Sequence, residues 1–374
     1  MLERMPYPLY TKYLKDSILQ QQISMLVTIS LIFVLSITSI VSLEVFAQQT
    51  NSTSNNVSLS IEAADSIIST VKTDYYPLPE NARGPTIPQK GYAVEPLGQG
   101  LYFLGNGAYN TMFMVTDDGV IVVDAPPAIG DKYLQAISEV TDKPVKYFIY
   151  SHSHKDHVGA ASIFPDNVTY ISQKETANQL RVANDSGRPL PTLTFSDEYA
   201  IKVNNETVLE LDYPGITHEP GNIFIYAPKQ KALMFVDVIY LGWVPFDGLG
   251  GSENVTGFMD ATNKIVKKYD VNKFIGGHLT RIGTIEDIKT QQEFLSDLEA
   301  IGKQTLKNVS FSDIAKVVGP YNPGNPWAIT NSYQDTMTNQ CTEQMVNKWK
   351  DRLGGVDIFM DDNCAAMLRS LRLD

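Results

Sequence analysis

The sequence predicts a mixed α/β domain over residues 92–306, led by an export or anchor segment and followed by a helical extension over 307–374. Three observations predict it. From Tyr92 onward, short apolar runs bounded by turn residues alternate with helical spacing, as they do when strands and helices share one core. One stretch of 21 uncharged residues, 23–43, stands apart near the N-terminus. The five histidines collect in three segments, two of which directly follow a predicted strand.

The N-terminal stretch is rich in Ile, Leu and Val and long enough to span a bilayer. Arg4, Lys12 and Lys15 precede it, and no Lys or Arg follows until Lys72, an asymmetry that leaves the bulk of the chain outside the cytoplasm. Val45-Phe46-Ala47 before Gln48 offers compact residues where a signal peptidase reads, so residues 1–47 fit a cleaved signal or a retained membrane anchor. A core helix fits poorly, because the run is apolar all round and a polar tract follows. That tract, rich in Gln, Asn, Ser and Thr, reads as a solvated linker, and residues 77–88, punctuated by Pro and Gly, as an extended arm; together residues 48–91 lead into the domain. Sequons at Asn51, Asn56, Asn167, Asn184, Asn205, Asn254 and Asn308 suit an exported surface, or simply an Asn-rich chain. The expectation is an extracytoplasmic protein, secreted or tethered.

Within the domain, Tyr102-Leu104, residues 112–116 and residues 120–124 read as strands, the last two joined by the hairpin signal Asp117-Asp118-Gly119. Residues 131–140 read as a helix, 145–150 as a buried strand and 160–164 as part of a short helix. Further strands are predicted at 169–171, 223–226, 232–236 and 273–275, and helices at 259–268 and 285–306. After the break at 322–326, residues 327–353 and 365–373 return to helical spacing, with Cys341 and Cys364 placed to staple two helices. In an exported chain a disulfide is the natural reading of that pair, and two buried thiols the alternative.

Lys plus Arg number 30 and Asp plus Glu 42, for a net charge of −12. Such a surface repels nucleic acid, and no basic run interleaved with aromatics is present, so no nucleic-acid partner is expected. The histidines point instead to metal. Three lie in Ser151-His152-Ser153-His154-Lys155-Asp156-His157, one in Thr217-His218-Glu219-Pro220-Gly221-Asn222, and one in Gly276-Gly277-His278. Imidazole is the commonest protein metal ligand. His152, Asp237 and His278 each fall just beyond a predicted strand, where loops from distant parts of an α/β sheet gather into one crevice.

On these residues the chain resembles the metallo-β-lactamase superfamily over roughly residues 92–306. His152-x-His154-x-Asp156-His157 matches the signature motif, His218 the third metal histidine, Asp237 the bridging carboxylate and His278 the last histidine. The resemblance implies a four-layer αββα sandwich with a two-metal site between its sheets. It implies that His152, His154 and His218 hold one ion, that Asp156, His157 and His278 hold the second, and that Asp237 bridges both. It also implies that Asp124 braces the histidine loop. Glu219, next to His218, is either solvated or a support behind a metal ligand. Nitrogen and carboxylate donors without thiolate suit two zinc ions, and iron or manganese as well. A hydroxide between the ions would be the nucleophile, with Asp156 and Asp237 the catalytic carboxylates.

The superfamily's chemistry is broad, and fold alone does not choose within it. Asp237 in place of cysteine suits the all-His/Asp lactamases, lactonases and thioesterases. The leading expectation is a zinc hydrolase opening an amide, lactone or ester of a small molecule. An iron sulfur dioxygenase using His152, His154 and His218, or a metal-binding surface protein without catalysis, are the alternatives. The Gly-rich loop 241–258, with Trp243 and Phe246, is read either as a mobile substrate wall or as a loop whose aromatics are ordinary anchors; Tyr109 and Asn110 are further candidates for the substrate side.

Overall fold

The computed structural model describes residues 72, 74–279 and 281–374. The signal or anchor reading of residues 1–47, and most of the linker, lie outside these. Among the described residues no helix is long and apolar enough to cross a membrane.

Two sheets form the frame. The first runs β1 (Ala93–Gly98), β2 (Leu101–Gly105), β3 (Asn110–Val115), β4 (Val120–Val123), β5 (Val145–Ile149), β6 (Thr169–Gln173) and β7 (Leu193–Phe195), in that spatial order. Its first four strands are antiparallel meanders; from β4 onward the pairs are parallel. The second sheet has the order β12 (Lys273–Ile275), β11 (Ala232–Met234), β10 (Phe224–Ala227), β9 (Glu206–Asp212) and β8 (Glu198–Val203), with only β11 and β12 parallel. The hairpin predicted at Asp117-Asp118-Gly119 pairs Val115 with Val120.

Strand periodicity sorts side chains into layers. In β4, Ile121 and Val123 face the second sheet, joining Met112, Ile149, Ile225 and Met234 in one buried cluster. Val120 and Val122 face the other way, onto Tyr133 of α1 (Lys132–Ser138), Val158 of α2 (Lys155–Val158) and Leu180 of α3 (Lys174–Ala183). The outer face of the second sheet, with Phe224, Leu233 and Phe274, packs on α4 (Val255–Lys268) and α5 (Ile285–Asn308). Helices, sheet, sheet and helices thus make the expected sandwich, with one apolar cluster between each pair of layers.

The C-terminal helices are part of that last layer. After α6 (Phe311–Val318), α7 (Pro326–Trp349) and α8 (Val356–Leu373) bury Met337, Met345, Trp349, Met360 and Met367 in the same cluster as α4 and α5. Cys341 of α7 and Cys364 of α8 form a disulfide across 5.9 Å between Cα atoms. Lys348 and Trp349 donate to Asp297 of α5, and Arg352 grips Glu293 with two nitrogens. The arm before β1 is extended, as its prolines require, apart from one 3-10 turn at Glu80–Ala82. It lies on the extension: Tyr76 N donates to Asp357, and Asn81 to the Arg352 carbonyl.

Several elements differ from the sequence expectation. The helix expected from residue 365 begins at Val356, behind Gly355 at φ 75°. That expected from 259 begins at Val255, because Asn254 caps it by accepting from Gly257 N. The strands β1, β7, β8 and β9 and the helices α3 and α6 are additional: β8, β9 and α3 carry too many polar residues to stand out as apolar runs, and β7 and α6 are short.

Candidate metal centre

Each donor segment is held by a device legible in the fold. β5 delivers Ser151 and His152 to the edge of the inter-sheet groove. Asp124, ending the neighbouring β4, accepts from Ser151 N at 2.8 Å and from Ser151 Oγ at 2.7 Å. Because that hydroxyl proton is directed at Asp124, Ser151 Oγ receives from His152 Nδ1 (2.8 Å), which leaves the lone pair of Nε2 facing the groove. Burial pushes the Asp124 carboxyl up to about 7, against the pull of His157 and the two Ser151 bonds. Asp124 therefore braces the histidine loop, acting through Ser151. His154 ends the loop as the cap of α2, on which Asp156 and His157 follow.

The Pro220-Gly221-Asn222 run explains how His218 is held. Gln179 of α3 donates to the Pro220 carbonyl, at 2.9 Å. A Cβ on Gly221 would stand 2.5 Å from Thr176 N, so only glycine, here at φ 93°, allows this approach. Asn222 donates to the Val236 carbonyl at 2.9 Å, tying the His218 loop to the residue before Asp237. Glu219 is buried rather than solvated and supports His154: its Oε2 lies 3.2 Å from His154 Nε2, while Ser153 donates to it from N and Oγ.

Asp237 and His278 leave adjacent parallel strands, β11 and β12. Asn110 fixes the second of these: its Oδ1 accepts from Gly277 N at 2.9 Å and its Nδ2 donates to the His278 carbonyl at 2.9 Å. A Cβ on Gly277 would sit 2.5 Å from Val236 Cγ1, and its φ is 89°. Tyr109 packs against the rings of His157 and His278, and its hydroxyl reaches Asp156 Oδ2 at 3.4 Å. Burial, then the Asp156 charge, pushes this phenol up to about 12.

The seven predicted donors converge as two groups, His152-His154-His218-Asp237 and Asp156-His157-His278. Asp237 Oδ2 lies 3.5, 3.2 and 3.4 Å from the Nε2 atoms of His152, His157 and His218, and Oδ1 lies 3.1 Å from His278 Nε2. His218 Nε2 stands 2.9 Å from His154 Nδ1, and His157 Nε2 stands 3.0 Å from His278 Nε2. The floor is buried, whereas the side chains of His154 and Asp156 are 43% and 46% exposed, so the site opens at one rim.

This donor set fits a metal. His152 Nε2 and Asp237 Oδ1 are buried and lack any hydrogen-bond partner, a costly state that a cation would relieve. Two nitrogens on one tetrahedral zinc ion, each about 2.0–2.1 Å away, stand roughly 3.3 Å apart, close to the spacings within these groups. Burial holds His152 well below the usual imidazole range and His218 down at about 4, so both are neutral and able to ligate at pH 7. Burial alone would raise Asp237, but the charges of His157 and His278 hold it well below the usual carboxylate range.

Of the two readings of the Gly-rich loop, its packing favours anchoring. Leu241, Val244 and Leu249 are buried, and Trp243 turns from the site to donate to the Ala82 carbonyl. Phe246 meets a donor ring, 5.0 Å from that of His278. Sequence reasoning missed Ser151 and Gln179 as supports, and nothing about Gln179 in the sequence alone would have singled it out.

The family described as the metallo-beta-lactamase superfamily matches residues 104–278. The chain is 28% identical over 210 residues to 2,4-dinitroanisole O-demethylase subunit alpha of Nocardioides sp. (strain JS1661), covering 55% of this chain and 61% of that protein. It therefore spans less than two thirds of that relative's length. It is 27% identical over 205 residues to metallo-beta-lactamase type 2 of Elizabethkingia meningoseptica, covering 54% of this chain and 78% of that one. Among solved structures, a metallo-beta-lactamase from Pontibacter korlensis aligns at 18% identity and a TM-score of 0.47, over 55% of this chain and 99% of that one. The matched residues 104–278 carry every donor described above, and over that segment the chain is similar to the metallo-beta-lactamase superfamily.

Proposed function

We propose that the chain is a dinuclear zinc hydrolase acting outside the cytoplasm on an amide, lactone or ester carbonyl of a small molecule. The observation that carries this reading is the junction at Asp237, one buried carboxylate within 3.5 Å of four imidazole nitrogens drawn from both donor groups. His152, His154, His218 and Asp237 would hold one ion, and Asp156, His157 and His278 the other, with Asp237 shared. Zinc in such a site lowers the pKa of bound water to about 7 and polarises the oxygen of the bond under attack.

The chain's own groups supply the rest. Asp237 stays ionised, so its charge is available to both groups at neutral pH. Glu219 fixes which nitrogen His154 turns inward, as Ser151 does for His152. Asp156 stands at the open rim, where its Oδ2 accepts from the Tyr109 hydroxyl and can receive a proton from the substrate side. Tyr109 and Phe246 flank His278 and bound the apolar part of the opening. The 21-residue apolar run and the Cys341–Cys364 disulfide support an oxidising, extracytoplasmic location.

The test is the purified, zinc-loaded chain against a chromogenic lactam, a lactone, a thioester and a phosphodiester, with 2,4-dinitroanisole added because one relative is named for it. Turnover of a carbonyl substrate with two zinc ions per chain is the expected result. One iron per chain with oxygen uptake would replace this reading by a sulfur dioxygenase. No turnover on the whole panel would favour a binding protein.

A further inference from the structure

The turn Asp247–Gly251 has a left-handed backbone at five successive residues, with φ 49, 68, 62, 68 and 65°. Glycine adopts this freely, but Asp247 and Leu249 do so only where the surroundings over-determine it. The constraint comes from the C-terminal extension. Asn363 of α8, fully buried, accepts at Oδ1 from Leu249 N (2.7 Å) and donates from Nδ2 to the Pro245 carbonyl (2.6 Å). A backbone N–H can only donate and a carbonyl can only accept, so one primary amide satisfies both ends of the turn, and neither a carboxylate nor an alkyl group can.

What rests on this turn is the metal centre. A Cβ on Gly250 would lie 3.0 Å from the Asp237 carbonyl, which also accepts from the Tyr240 hydroxyl at 3.0 Å. Beyond the turn, Glu253 N donates to the His218 carbonyl at 2.9 Å and Asn254 N to the Thr217 carbonyl at 3.1 Å. Before it, Phe246 sets its ring edge-on against His278, at 86°. One turn thus touches the segments of Asp237, His218 and His278.

We infer that Asn363 is a positioning residue of the metal centre: it locks the left-handed turn that sets Asp237, His218 and His278, which makes the C-terminal extension a working part of the site. This rests on the metal-centre reading above. Neither partner of Asn363 is a metal donor, so its effect passes through the backbone of the turn.

Zinc affinity of the full chain, measured by chelator competition, tests it with Asn363→Leu, Asn363→Asp and, as control, Met337→Ala. The control truncates a buried side chain of the same extension and leaves both Asn363 bonds in place. Asn363→Leu loses both bonds and weakens zinc about 10–100-fold, the range for removing an outer support of a metal ligand. Asn363→Asp keeps the Leu249 bond and falls between. Met337→Ala lowers the melting temperature with zinc affinity retained. Wild-type affinity in Asn363→Leu, or an equal loss in Met337→Ala at matched melting temperature, overturns the inference. Hydrogen exchange of the Leu249 amide in metal-free protein separates the two readings. Protection lost in Asn363→Leu supports the clamp even if the wild type binds no zinc, which would sink the metal reading alone; unchanged protection overturns the clamp.

Discussion

Opening the Cys341–Cys364 bridge removes a constraint whose size follows from its span. The two residues are 23 apart in sequence. Closing a loop of that length in the unfolded chain costs conformational entropy worth about 3 kcal/mol near room temperature, by the chain-entropy relation. The unit that unfolds, Lys72–Asp374, is about 300 residues, and at about 2.1 cal/mol/K per residue its unfolding entropy converts this into a fall of about 5 °C in Tm. The assay is a thermal melt followed by circular dichroism, with and without a phosphine reductant, alongside the Cys341→Ser/Cys364→Ser double variant. Thiols counted in denaturant should read zero before reduction and two after it. Two free thiols before reduction would show that the bridge does not form. A Tm unmoved within about 1 °C after complete reduction would refute the entropic reasoning, because a bond that constrains the unfolded chain must show in its stability.

Two further outcomes concern the site. Asp237→Ala should lose both metals and most activity, by more than the about 10–100-fold typical of outer supports, since it removes the one group shared by four imidazoles; full activity with both metals retained would rule out the bridging role. Zinc uptake should also release a proton from His157. Burial pulls that imidazole down, but Asp237 more than offsets it and raises the group to about 9. In metal-free protein His157 is therefore protonated at pH 7, and zinc must displace that proton. Affinity should rise about tenfold per pH unit from 7 to 9 and then level off. Calorimetry in buffers of different ionisation enthalpy checks this, and an affinity flat across that range would contradict it. His152 and His218, already neutral, contribute no such slope.

The donors were legible because their chemistry is rare and their positions are fixed by strand ends. His152, Asp237 and His278 each follow an apolar run, and a parallel or buried strand writes such a run plainly in sequence. The same reasoning fails where strands are half-solvated. β8 and β9 expose Glu198, Lys202 and Glu206, so they never read as apolar, although Asn204-Asn205 between them, at φ 52 and 65°, is a hairpin signal that could have exposed the pair. The site's supports divide in the same way. Asp124 is visible through the family resemblance, which matches it to a structural aspartate at a strand end. Asn363 is not, because it lies 126 residues beyond Asp237 in an ordinary amphipathic helix, and only packing brings it to the turn. The glycines of the loop announced an unusual backbone, yet composition could not say whether that backbone is free or clamped.

The donors also come from two different sheets. His152, His154 and His157 follow β5 of the first, whereas Asp237 and His278 leave β11 and β12 of the second, and a dry layer of Ile, Leu, Val and Met sets the gap between them. The distance across the site is therefore a property of the core rather than of a flexible loop. Close packing between the sheets resists changes in that gap. A methylene added or removed between the sheets, far from any ligand, would therefore reach the donors by changing the spacing of the sheets that carry them.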